Sequence, residues 1–159
     1  MVKVSAIQMS MSEDKAANIS KAQKLVREAA KNGAQIVLLP ELFEGLYFCK
    51  DMDEKYFSWA APREGNTLIK HFAELAKELK IVLLVSYFER AGEEYFNSLV
   101  LVDNDGTVMD NYRKTHIPCF PANRYLLFWQ IIAYLSGFLS LNKPQYSLCL
   151  AFSCKSNSA

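Results

Sequence analysis

Two rhythms of apolar positions run through the first two-thirds of the chain. Val2, Val4 and Ala6 alternate with Lys3, Ser5 and Gln8, which predicts a strand over 2–9 with one face better buried than the other. Ser12-Glu13-Asp14 then offers a helix N-cap with acids in the first turn, where they suit the helix dipole. Ile19, Ala22, Leu25, Val26, Ala29 and Ala30 keep helical spacing, and Gly33 can take the left-handed conformation that ends the helix. Residues 34–39 form a second strand. This is a β-α-β unit, with a connection long enough for a helix packed on the sheet.

The alternation is lost in the run Ile36-Val37-Leu38-Leu39, as it is in Ile81 to Val85. Strands of that kind are buried on both faces, so the sheet needs cover on each side. Between them, Phe43 to Trp59 reads as a structured loop with a short helix around Met52 to Ser58. Asn66 or Thr67 caps a second helix in which Leu68, Ile69, Phe72, Leu75, Ala76 and Leu79 share a face. Ile81 to Tyr87 is a strand, Phe88 to Glu94 a turn, and Tyr95 to Val102 a strand. Asp103-Asn104-Asp105-Gly106 signals a hairpin, and Thr107 to Tyr112 returns as its partner. The sum is an α/β fold: a mixed sheet with two helices on one face.

Composition changes the picture at one place. A 51% hydrophobic share in 159 residues supports one globular domain, and a formal net charge of +1 gives no electrostatic case for nucleic acid or an acidic membrane. Yet all 17 acidic residues lie before Cys119, and residues 119–159 carry only Arg124, Lys143 and Lys155 as fixed charges. The boundary falls at Pro118-Cys119, dividing a domain over 1–118 from a tail over 119–159. Within the tail, residues 125–141 are uncharged and helical in character, at the lower length limit for a membrane span. An anchor and a stretch that simply happens to be hydrophobic both fit that run. The serine-rich end beyond it is expected to be disordered. Cys49, Cys119, Cys149 and Cys154 have no metal-binding spacing, and no secretory segment opens the chain, so the expectation is a reduced, cytoplasmic protein.

Candidate chemistry centres on two strand ends. Pro40 stops the strand that precedes it, and Glu41 comes next as a carboxylate where a buried strand has just finished. A solvated loop glutamate is the alternative for Glu41. Lys114 is delivered by the last strand of the hairpin. A carboxylate can take a proton from a nucleophile, and a nearby ammonium can stabilise an oxyanion. A cysteine nucleophile would complete a site for hydrolysing an amide-like C–N bond.

Five runs carry a resemblance: Val4-Ser5-Ala6-Ile7-Gln8-Met9, Gly33 through Cys49, Phe96-Asn97-Ser98, Asp105-Gly106, and Tyr112-Arg113-Lys114-Thr115-His116-Ile117-Pro118. In order and spacing, residues 2–118 resemble the nitrilase (carbon–nitrogen hydrolase) superfamily. Within it they look most like the branch that converts N-carbamoylputrescine and water to putrescine, carbon dioxide and ammonia. The resemblance implies an α-β-β-α sandwich, of which this chain holds the N-terminal portion, and assembly into homo-oligomers. It implies Glu41 as general base and Lys114 as the charge stabilising the tetrahedral intermediate, with no cofactor and no metal. The family's nucleophile is a cysteine in a later run ending Cys-Trp-Asp or similar, with a second glutamate assisting from a loop. Neither is found after Pro118, where Cys149 is a poor substitute, so a truncated and inactive chain is expected. A non-catalytic partner that modulates assembly of full-length subunits is the alternative. Glu44 is either a holder of a cationic substrate end or a surface carboxylate. His116 is expected to be structural, Cys49 a packing residue, and Asn97-Ser98 a tie for the loops around the site.

Overall fold

A computed structural model describes residues 1–50 and 53–115. His116, Cys149, the tail at 119–159 and its apolar run at 125–141 lie outside the described residues.

Helix α1 (Lys15–Lys31) and helix α2 (Thr67–Leu79) pack on a sheet of five strands, ordered β1 (Val4–Ala6), β2 (Ile36–Leu38), β3 (Val82–Ala91), β4 (Glu94–Val102) and β5 (Val108–Arg113). The first three strands run parallel and the last three antiparallel, so the expected mixed sheet is present. Side chains alternate across each strand. Val37, Leu39, Leu83, Val85, Tyr87, Val100 and Val102 therefore meet the buried stripes of both helices in one core. Their neighbours Ile36, Val82, Leu84, Leu99 and Leu101 form a second buried cluster to which no described helix contributes. Both faces of the non-alternating runs are thus covered, as their composition demanded. Among the described residues, no helix is long and apolar enough to cross a membrane.

The start of α1 differs from expectation. Asp14, not Ser12, is the N-cap, its carboxylate accepting from Ala17 N, and no acid lies in the first turn. Ser12 is instead tied to Asn18, a buried α1 residue whose side-chain oxygen accepts from Ser12 N at 2.9 Å. Asn66 caps α2 by accepting from Leu68 N and Ile69 N. The expected turn over Phe88 to Glu94 is also corrected. Strand β3 continues to Ala91, and only Gly92-Glu93 turns, with Gly92 at φ +65° as the first central position of a tight hairpin requires. Gly92 made the whole segment read as a turn; Glu89 within it is in fact a buried strand residue paired with Arg113 of β5.

Phe72 is the keystone of the helix-side core, fully buried and edge-on to Phe43 at 5.3 Å. Replacing it with alanine removes most of an aromatic side chain from a close-packed site. Urea unfolding of Phe72→Ala should show a loss of about 3–5 kcal/mol.

Candidate active site

Glu41 is placed by the way β2 ends. Leu39 N still bonds Leu84 O at 3.2 Å, Pro40 then donates nothing, and the chain turns away from the sheet. Leu42 sits at φ +50°, a strained conformation for a side chain of its size, and its amide is held by Ser86 Oγ at 3.0 Å. Further along, Glu44 O accepts from buried Asn18 Nδ2 at 3.1 Å. Gly45 lies against the Trp59 ring so closely that a Cβ there would come within 3.0 Å of it. Contacts from β2, β3, α1 and the Trp59 loop thus fix the turn carrying both carboxylates.

Lys114 arrives from the other side. Pairing of Ser98 with Arg113 brings β5 to the end of β4, and Lys114 N bonds Asn97 O at 2.9 Å. Its Nζ then reaches Glu41 Oε1 at 3.1 Å, and Asn97 Nδ2 donates a short hydrogen bond to the same oxygen. The side chains are 9% and 14% exposed, so the ion pair sits in a largely dry place. The structure brings Glu41 and Lys114 together across 73 residues of sequence.

Adjacent residues at the end of β5 and along β4 serve opposite faces, Lys114 standing just past the strand. Asn97 and Lys114 meet Glu41, whereas Ser98 and Arg113 meet Glu89. Arg113 donates to both Glu89 oxygens at 3.0 and 2.7 Å, and Asn111 Nδ2 and Ser98 Oγ add further bonds. Burial pushes the Glu89 carboxyl up, but the bonds from Arg113, Ser98 and Asn111 prevail and hold it below its ordinary value. This second network anchors the strand end from which Lys114 projects. Asn97-Ser98 is therefore split: Asn97 binds the candidate base directly, and Ser98 supports the strand from behind.

Cys49 is not remote from the pair. Burial raises its thiol pKa first, and the Glu41 charge raises it further; a hydrogen bond from Tyr47 and the Lys114 charge act the other way without prevailing. Both charges act on it, and the balance favours the thiol. Its position in an aromatic loop gave no sign of that influence. Glu44 faces a separate cleft lined by Leu42, Gly45, Phe48 and Trp59, where Lys15 Nζ stands 3.6 Å from Glu44 Oε1.

The sheet passes from parallel to antiparallel with a carboxylate and an ammonium joined at its strand ends, and the chain belongs to the carbon–nitrogen hydrolase family, whose model matches residues 3–128. More particularly, it is 46% identical over 120 residues to an N-carbamoylputrescine amidase of Oryza sativa subsp. japonica and 43% identical over 117 residues to a citrullinase of Francisella tularensis. These matches cover 76% and 74% of this chain but 40% and 41% of the relatives, so the chain spans about two-fifths of their length. A carbon–nitrogen hydrolase structure from Helicobacter pylori superimposes with a TM-score of 0.68 at 30% identity, over 74% of this chain and 41% of that one.

Proposed function

We propose that the chain is a carbon–nitrogen hydrolase of N-carbamoylputrescine amidase type that holds the base, the oxyanion-stabilising cation and part of the substrate pocket, with no Cys-Trp-Asp run among these 159 residues to supply the nucleophile. The observation that carries this is the dry Glu41–Lys114 pair. Both hydrogen bonds that described side chains donate to the Glu41 carboxylate converge on Oε1, so Oε2 is the atom that would accept the nucleophile's proton. Lys114 remains beside it to stabilise the oxyanion formed at the ureido carbon. Glu44 would hold the positively charged far end of an N-carbamoyl amine.

The supporting resemblance is to relatives whose names specify that substrate, within a carbon–nitrogen hydrolase family. The missing element is chemical. No Cys-Trp-Asp run exists in the sequence, and Cys49 is held as a thiol rather than activated. On this proposal the protein would work in the cytoplasm, and homo-oligomers would be the assembly of its full-length relatives. The absent nucleophile also favours a second role, as a non-catalytic partner that alters assembly of full-length subunits; co-expression should then yield co-purification and a changed oligomer.

Binding and turnover separate in the test. N-carbamoylputrescine should bind saturably to the purified chain by ligand-observed NMR, with ammonia release no faster than in buffer. Failure to bind would remove the substrate assignment. Turnover that disappears in Glu41→Gln would show that a nucleophile is present after all.

A further inference from the structure

Lys15 is in an unfavourable position for its own helix. It is the first residue of α1, where the dipole repels a cation. Its ammonium nevertheless points into the cleft beside Glu44, 3.6 Å from the carboxylate and 5.5 Å from the centroid of the Trp59 ring. A carboxylate on one side and an aromatic face on another make the environment that recognises an ammonium group.

The cleft is built rather than incidental. Asn18, 2% exposed, fixes the Glu44 backbone. Gly45 lets the Trp59 ring lie against the main chain. Phe48 packs edge-on to Trp59 at 5.9 Å and against Phe88 at 4.7 Å, so the wall is stiff. The occupant is the loose part. Lys15 is 39% exposed at the end of a flexible stem, and ion pairs of that exposure are weak.

We propose that the Glu44–Trp59 cleft is a binding site for a primary alkylammonium group, and that Lys15 is its internal stand-in, displaced when such a ligand enters. The inference deepens the proposed function, on which it rests for the nature of the ligand: the charged end of an N-carbamoyl diamine. The displacement itself needs no chemistry at Glu41. Lys15 would set the affinity for the amine end by competition.

The test is titration of n-butylammonium chloride into the intact chain, followed through the Trp59 indole and Gly45 amide NMR resonances, with n-butanol as neutral control. Lys15→Ala and Lys15→Gln should each bind n-butylammonium roughly two- to fivefold more tightly than the parent chain, as removal of a weak competing ion pair implies. Glu44→Gln should lose the saturable shift, and butanol should produce none. The proposal is overturned if both Lys15 variants bind no more tightly than the parent, or if Glu44→Gln saturates alike. Because the readout is binding of a ligand without a ureido group, a failed amidase assay alongside these shifts would remove the substrate's reacting end and leave the ammonium site standing.

Discussion

Lys114→Met is expected to destabilise the protein by roughly 3–5 kcal/mol, whereas Glu41→Leu combined with Lys114→Met should cost far less. The reason lies in what each change leaves behind. With Lys114 gone, a carboxylate only 14% exposed keeps Asn97 as a donor but has no countercharge. With both gone, the same volume is apolar and no desolvation penalty remains. Denaturant midpoints of the two single variants and the double variant give the coupling directly. A double variant near the parent in stability would mean that the pair is retained despite what it costs the fold, as expected of groups kept for chemistry. Simple addition of the two single costs would show instead that Glu41 and Lys114 act separately, and would undercut the site.

The elements most legible in the sequence are those whose residues obey one rule at a time. Asn66 before an amphipathic run marks a helix start, and the structure caps α2 there. Gly33 after Lys31-Asn32 marks a helix end, and it has φ +86°. The runs at 36–39 and 81–85 lack alternation, and they are buried on both faces. Glu41 is legible because Pro40 forces a buried strand to stop just before it, and Lys114 because a hairpin strand runs out beside it. The family resemblance of the surrounding runs adds the roles that the two charges would play.

The features hidden from the sequence all depend on long-range partners. Glu89 reads as a turn residue until Arg113, Asn111 and Ser98 are seen to satisfy it inside β3. Lys80 ends α2 in a left-handed conformation, at φ +54°, with no glycine to announce it. Cys49 feels the charges of Glu41 and Lys114, and neither is its neighbour in the sequence. Lys15 belongs to a helix by periodicity and to the Glu44 cleft by geometry. Burial of a charge is decided by its partner, and local pattern carries no record of that partner.

Removing the buried carboxylate of Glu89 is the change expected to expose this hidden half of the site. Glu89 is 3% exposed and gathers bonds from three residues on two strands. Glu89→Ala strands Ser98 Oγ and Asn111 Nδ2 and frees Arg113, so the cost should be roughly 2–4 kcal/mol. Acid should reproduce part of that loss in the parent chain. Burial works against ionisation of Glu89, but its hydrogen bonds and the Arg113 charge win, and its folded pKa lies below the ordinary 4.5. The unfolded chain therefore binds the proton more readily than the native protein does. Stability from this group is fully present above pH 4.5 and drains away as pH falls through the lower, folded value. Urea midpoints measured from pH 6 downward should fall less steeply below about pH 4.5 in Glu89→Gln than in the parent. Equal slopes would mean that Arg113 and Glu89 are not paired in solution, and that some other contact holds the end of β5 where Lys114 can reach Glu41.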